Sequence, residues 1–210
     1  AIVGSFSVNG VAGLHTELLK QGLFSDFFAL WPEKFNNKTN GVTQRRWLAH
    51  CNPGLRQLLD ETIGSGWQTD LSKIANLAPC AKDAAFRKKW REVKQDNKRR
   101  LIQLVARETG VQFSESALFD VQVKRIHEYK RQLLNVLHAI HLYDRIQQGD
   151  TDGMVPRCIL IGGKAAPGYH VAKLIVKLVN NVAQVINADP AAQDLLKVVF
   201  LPNYRVSAME

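Results

Sequence analysis

Cysteine is scarce in this chain. Cys51, Cys80 and Cys158 stand alone among 210 residues, an odd number with no Cys-x-x-Cys pair. That spacing argues against a disulfide framework and a zinc site, and it fits a reducing compartment, the cytoplasm. No uncharged apolar run reaches the roughly 18 residues of a membrane span. The longest candidate, from Cys158 to Val179, is interrupted by Lys164, Lys173 and Lys177, so neither a transmembrane helix nor a membrane partner is expected. Ala1-Ile2-Val3-Gly4-Ser5 lacks the basic segment of a signal peptide and an initiator Met. Together with the absence of a tail after Val206–Glu210, this reads as a piece of a longer polypeptide. His138 and His141 lie three apart in a helical stretch, but no Cys or carboxylate completes a ligand set, and no metal is expected. A Gly-x-Ser-x-Gly elbow, a Walker sequence, internal repeats and low-complexity tracts are missing as well.

Acidic residues are in deficit, 19 against 28 Lys and Arg, for a net charge of +9. With 46% hydrophobic and 22% charged residues the composition is that of a globular protein with enough apolar material for a core. Much of the excess charge lies between Lys82 and Arg100, where nine cations face Asp83, Glu92 and Asp96, a net of +6. The segment reads as one helix from Asp83 to Glu108, with Asp83 as N-cap and Gly110 as the stop. Phe86, Trp90, Val93, Leu101 and Leu104 mark its apolar stripe. A solvated basic face, or a contact with acidic surface elsewhere in the parent protein, explains such a helix. Nucleic-acid binding is the other reading. It is the weaker one, because single-strand binding calls for interleaved exposed aromatics, whereas Phe86 and Trp90 fall at core spacing; a basic nucleic-acid-binding module stays as the non-enzymatic rival.

Three zones follow along the chain. Residues 1–30 open with a short apolar strand, Ala1–Gly4, and a turn, Ser5–Gly10. A helix carrying Val11, Leu14, Leu18 and Leu19 follows, ended by Gly22. Residues 31–112 are loop and helix, with a polar, turn-rich loop over Pro32–Thr43 and helices near Arg45–His50, Pro53–Ile63 and Asp83–Glu108. Residues 115–210 alternate strand and helix: strand Leu118–Val123, helix Arg131–Gln147, strand Arg157–Ile161, helix Gly168–Ile186, strand Lys197–Leu201. The helix after the first strand shows the pattern Leu133, Leu134, Val136, Leu137, Ile140. This βαβαβ order predicts an α/β fold with a parallel sheet and right-handed crossovers, half of a Rossmann-like unit.

Chemistry concentrates where those strands end. Lys124, Arg125, Lys130 and Arg131 fall within eight residues between the first strand and its helix. Cations so close repel one another unless anions sit among them. Gly162-Gly163-Lys164-Ala165-Ala166-Pro167-Gly168 follows the second strand. Its free backbone N–H groups could cradle an anion, or the segment is a tight strand-to-helix turn. Asn203-Tyr204-Arg205 follows the third strand. Cations therefore converge on the carboxyl edge of one sheet, which suits a ligand carrying more than one phosphate; a structural ion-pair cluster is the alternative. Asn40-Gly41 is a plain turn or a side-chain amide for a hydroxyl-rich ligand, and Asn9-Gly10 has the same ambiguity.

Five of these segments, in order and spanning the chain, closely resemble the α-glucan phosphorylases. They are Val-Asn-Gly-Val-Ala at 8–12, Thr-Asn-Gly-Val-Thr at 39–43, Lys-Arg-Ile-His-Glu-Tyr-Lys-Arg-Gln at 124–132, Gly-Gly-Lys-Ala-Ala-Pro-Gly-Tyr at 162–169 and Asn-Tyr-Arg-Val-Ser at 203–207. The resemblance implies a fragment of a two-domain GT-B-like glycosyltransferase: residues 1–112 from the helical end of its first domain, and residues 113–210 as the first Rossmann-like half of its second. It implies phosphorolysis of α-1,4-glucan by inorganic phosphate, with pyridoxal phosphate acting through its phosphate group, in an allosteric homodimer. By the same resemblance Lys124, Tyr204 and Arg205 bind the cofactor phosphate, Arg125 and Lys130 hold the substrate phosphate, and Val11, Asn40, His127 and Tyr129 line the glucose subsite. The family's Gly-Thr-Gly-Asn-Met-Lys segment, which carries the cofactor's Schiff-base lysine, does not occur here. The fragment alone is therefore expected to be inactive. A nucleotide-sugar glycosyltransferase of the same plan is the rival within enzymes.

Overall fold

The computed structural model describes residues 1–41 and 43–210 and resolves them into two compact units, Ala1–Leu48 and Ala49–Glu210. Val42, in the Thr39–Thr43 motif, lies outside the described residues.

In the first unit, β1 (Val8–Gly10) pairs in parallel with β2 (Phe35–Asn37), Gly10 opposite Asn37. Between them, α1 (Gly13–Leu18) widens into a π-type turn over Leu19–Leu23, where the Phe24 N–H reaches back five residues to the Leu19 carbonyl at 2.9 Å. Helix α2 (Ser25–Leu30) follows. A Cβ on Gly10 would stand 2.2 Å from Thr16 Oγ1 and 2.7 Å from Thr16 Cα, so only glycine lets α1 start this close to the strand. The buried Thr16 hydroxyl donates to Asn37 Oδ1 at 2.9 Å, and Phe35 packs edge-on against Phe28. Three expectations need correction. The turn expected over Ser5–Gly10 gives way at Val8 to β1, which pairs with β2. Ala1–Gly4 is a turn, closed by the Ser5 N–H on the Ile2 carbonyl, because its apolar residues find no partner strand. The polar 32–43 loop contains β2 and the buried Phe35; the Asn36 amide is absorbed locally, donating to Ser7 Oγ at 2.8 Å.

The second unit begins with α3 (Pro53–Ile63), capped by Asn52 Oδ1 on the Leu55 N–H, with proline in its first turn. Trp67 is wholly buried beside it and donates from Nε1 to Asp60 at 2.8 Å. A 3-10 segment at Leu71–Lys82, absent from the sequence reading, leads into α4 (Ala84–Thr109). Its ends are where capping chemistry puts them: Asp83 accepts from the Ala85 N–H, and Gly110 closes the helix at φ 72°.

Strands β3 (Leu118–Val123), β4 (Arg157–Gly163) and β5 (Leu196–Pro202) form a parallel sheet in the order β3-β4-β5. Helices α5 (Gln132–Gln147) and α6 (His170–Ala188) are the crossovers, and α7 (Val206–Met209) follows β5. Because side chains alternate along a strand, central β4 serves two cores. Ile159 and Ile161 face Val136, Ile175 and Val179 of α5 and α6, while Cys158 and Leu160 face Ile102 and Val105 of α4. The βαβαβ parallel half predicted from the sequence is present, within a mixed helix–strand fold of small parallel sheets.

Two apolar stripes are buried only in part, and that of α4 departs from expectation. On α5 only Val136 of the five-residue pattern is buried, while Leu133, Leu134, Leu137 and Ile140 are exposed. The side turned to the sheet carries Gln132, Val136, Ala139 and Ile146 instead. On α4 the buried residues are Ile102 and Val105, because only its carboxyl-terminal half meets the sheet, and Trp90 is exposed.

Candidate functional site

Parallel pairing brings three strand ends to one edge. Val123 of β3 lies opposite Gly162 of β4, and Gly162 opposite Leu201 of β5. The loops that follow carry Lys124–Arg131, Lys164–Tyr169 and Asn203–Arg205, so the structure brings Lys124, Arg125, Lys130, Tyr204 and Arg205 to one edge of one sheet. Lys124, Arg125, Arg131 and Arg205 are exposed, and Lys130 and Tyr204 are half-buried. None of the five cations has a carboxylate at ion-pair distance among the described residues. A structural ion-pair cluster would neutralise them; this edge leaves them free to face an anion.

The strand end between the cationic loops has no side chains. A Cβ on Gly163 would come 2.6 Å from the Lys124 carbonyl and 2.6 Å from Ile126 Cδ1, so glycine permits the β3 loop to lie against β4. The ladder continues past the strand ends: the Lys124 N–H donates to the Gly162 carbonyl at 3.0 Å, and the Ile126 N–H to the Lys164 carbonyl at 3.1 Å. Ile126, buried in the α5/α6 core, anchors the loop from below. At β5, Asn203 takes φ 61° and turns the chain out of the sheet just before Tyr204 and Arg205.

Over residues 124–131 the chain is held at several points. Tyr169 Oη donates to the Glu128 carboxylate and accepts from the Glu128 N–H, tying the β3 loop to the β4 loop. The bond to Glu128 raises the Tyr169 phenol above its ordinary pKa. It also occupies the one carboxylate of the cationic loop. His127 packs between two rings, 4.5 Å from Tyr129 and 5.0 Å from Tyr169, and its Nδ1 accepts from the Tyr129 N–H. Lys130 Nζ stands 5.5 Å over the Tyr129 ring. Gln132, fully buried, donates to the Arg125 carbonyl at 3.2 Å and accepts from the His127 N–H at 3.4 Å. Gln122 donates to the Lys130 carbonyl at 3.0 Å and accepts from Asn135 Nδ2 at 3.2 Å.

Val11 and Asn40 belong to the first unit, where the Asn40 N–H donates to the Val11 carbonyl at 2.9 Å. Sequence reasoning missed Glu128, Tyr169, Gln122, Gln132 and Asn135. Gln132 carried one signal, a polar residue opening an apolar helix directly after the cations. The basic face of α4 is partly structural: Lys98 donates to the Glu115 and Ala117 carbonyls and lies over the Phe119 ring, while Arg99 pairs with Asp96 and Glu115. At the opposite, amino-terminal edge of the sheet a cavity of about 730 Å³ mixes Arg157 and Lys197 with Asp189 and Asp194. Its lining includes none of the motif residues. Among the described residues no His, Cys, Asp and Glu cluster suits a metal, and no helix is long and apolar enough to cross a membrane.

The class is thereby defined: a parallel α/β protein gathering unneutralised cations at the carboxyl edge of its sheet, where such folds take anionic ligands. All 210 residues match the model of the family described as carbohydrate phosphorylase, and the chain belongs to that family. It is 53% identical over 209 residues to the brain form of glycogen phosphorylase from Bos taurus and likewise to that from Homo sapiens. To the muscle form from Mus musculus it is 54% identical. Each alignment takes in 100% of this chain and 25% of the relative, so the chain spans about a quarter of the length of the curated relatives it matches.

Proposed function

We propose that the polypeptide containing this chain is a glycogen phosphorylase, which phosphorolyses α-1,4-glucan to α-glucose 1-phosphate. The observation that carries this reading is the set of cations without carboxylate partners at three parallel strand ends, in a chain more than half identical to proteins of that name. The parent is a two-domain GT-B enzyme and a cytoplasmic homodimer, with residues 1–112 closing its first domain and residues 113–210 opening its second. Neither nucleic acid nor a membrane is a partner.

Pyridoxal phosphate fits the donor set. Lys124 and Arg205 leave the ends of β3 and β5 on either side of the glycine-ended β4, and Tyr204 adds a hydroxyl beside them. Two cations and a phenol around a strand end without side chains suit a phosphate monoester. When bound, the cofactor supplies an acid–base phosphate next to the substrate phosphate; its covalent anchor is not among these residues. Arg125 offers a bidentate fork and Lys130 a point charge to inorganic phosphate. By holding that anion against a second one, they offset a repulsion that is steep at short range. Phosphate gives its proton to the glycosidic oxygen, the bond to the departing glucan breaks, and the oxyanion held by Arg125 and Lys130 bonds to the sugar carbon. His127 and Tyr129, fixed by ring packing, are the sugar-subsite residues of the second unit, and Val11 and Asn40 are those of the first.

The test is turnover of maltoheptaose and phosphate by the full-length enzyme. Arg125→Ala is expected to lower kcat/KM for phosphate by about 10²–10³-fold, the scale for losing one donor to a developing oxyanion. Turnover of a nucleotide-sugar donor without any phosphate-dependent cleavage would overturn the reading in favour of a nucleotide-sugar glycosyltransferase.

A further inference from the structure

Arg125 and Lys130 are exposed or half-buried long side chains on a connection between strand and helix, yet phosphate binding needs their charges in fixed places. The backbone beneath each is held by a glutamine. Gln132 is fully buried and spans Ile126: its Nε2 donates to the Arg125 carbonyl at 3.2 Å and its Oε1 accepts from the His127 N–H at 3.4 Å. It supplies to this stretch of chain the donor and acceptor that a neighbouring strand would supply, where no strand is present. Gln122, on β3, donates to the Lys130 carbonyl at 3.0 Å, and its Oε1 is held by Asn135 of α5 at 3.2 Å. Arg131 sits between the two braces at φ 62°, a conformation that a non-glycine residue holds only when its surroundings fix it.

Burying a primary amide is costly unless its groups are paired. Both ends of Gln132 are satisfied, and both partners belong to the cationic loop rather than to the core around it. A residue needed only for packing at this position would be apolar, as are Val136, Ala139 and Ile146 on the same helix.

We propose that Gln132 and Gln122, the latter braced by Asn135, are positioning residues that fix the backbone at Arg125 and Lys130 and so aim the two cations at inorganic phosphate. The inference rests on the phosphorylase reading. It concerns residues that touch no substrate and act only through the main chain.

Steady-state kinetics of the full-length enzyme, with phosphate and maltoheptaose varied independently, test it. Gln132→Met keeps the volume and loses both hydrogen bonds. It is expected to raise the KM for phosphate about tenfold or more, the range for a small displacement of a binding group, and to raise the KM for maltoheptaose by a clearly smaller factor, through the lost bond to the His127 N–H. Gln132→Glu, which keeps an acceptor for the His127 N–H but not the donor to Arg125, is expected to be impaired as well. Gln122→Met, at a less buried site, should raise the KM for phosphate by a smaller factor, and it carries the test if Gln132→Met does not fold. A phosphate KM within twofold of the parent in a folded Gln132→Met or Gln122→Met enzyme overturns the inference and leaves the reading intact. Parallel rises in both KM values also overturn it, since a general loosening would give them. A parent enzyme with no phosphate-dependent turnover overturns the functional reading itself, and this inference with it.

Discussion

The two compact units use glycine alike and burial very differently. In residues 1–48 only Gly10, Thr16 and Phe35 are buried among the described residues, and Leu14, Leu18, Leu23 and Leu30 are exposed. In residues 49–210 a three-stranded sheet has a packed core on each face. Each unit nevertheless has one glycine where backbone meets backbone, Gly10 against Thr16 and Gly163 against Lys124. The difference teaches where rigidity comes from. A loop can present cations in fixed positions only if something beneath it does not move, and the sheet unit has that in Ile126, Ile159 and Ile161. Residues 1–48 carry sugar-subsite candidates on a small scaffold with little core of its own.

The sharpest way to break this comparison is to put a charge in each unit. Ile161 is fully buried between β4 and its helices, and Ile161→Asp leaves an unpaired carboxylate there. Such a burial costs several kcal/mol, comparable with a domain's total stability of about 5–15 kcal/mol. The variant is expected to lose the cooperative thermal transition of the 210-residue chain by circular dichroism. Leu14→Asp, at a side chain 71% exposed, should move Tm by less than about 2 °C. A normal transition for Ile161→Asp would show that the sheet core is not what stabilises the unit.

A smaller effect is expected from filling the two glycines. Gly163→Ala puts a methyl group 2.6 Å from the Lys124 carbonyl, and Gly10→Ala puts one 2.7 Å from the Thr16 backbone. Overpacking of this kind costs about 1–3 kcal/mol. Local amide exchange reads it directly. Gly163→Ala should speed exchange at Ile126, whose N–H is bonded to the Lys164 carbonyl, and Gly10→Ala at Lys38, bonded to Gly10 itself. Unchanged protection at Ile126 would mean that the β3 loop does not depend on its close approach to β4.

How far the sequence shows these features depends on whether they are periodic. The strands of the sheet were legible from β-branched runs, and α4 from Asp83 and Gly110, because both are local signals. The cations were placed at one edge because parallel pairing follows from the order of elements. Phe35 was not legible as a buried strand residue, since β2 has three residues and two of them are asparagines. The exposure of the apolar face of α5 was not legible, because apolar spacing marks a helix and its faces and not what covers them. The Gln132 and Gln122 braces were invisible for a different reason. A side chain bonding to backbone several residues away leaves no repeat, and only coordinates show which carbonyl it reaches.

The smallest effect concerns how the sheet unit ties its own helices together. Asp189, at the end of α6, accepts from Tyr143 Oη at 2.6 Å and from Gln147 Nε2 at 2.7 Å, both on α5, and its other oxygen accepts from the Ala191 N–H. The bond from Tyr143, foremost among these, holds the carboxyl below its usual range, and the same bond raises the tyrosine. For the carboxylate, whose folded pKa is depressed, the contribution to stability is present above its unfolded pKa of about 3.9 and fades as pH falls through the lower folded value. For the phenol, whose folded pKa is raised, the contribution is present below about 10 and fades as pH climbs past that. Asp189→Asn should therefore lower Tm slightly at pH 7, and its gap from the parent should narrow as the pH is taken below the ordinary carboxylate range. The first unit has no such contact between its helices among the described hydrogen bonds, so Leu14→Asp should show no matching pH dependence in this acid range beyond the titration of the introduced carboxylate. A gap for Asp189→Asn that stays constant from pH 7 to the acid limit would mean that the pairing of α5 with α6 does not depend on the carboxylate's charge.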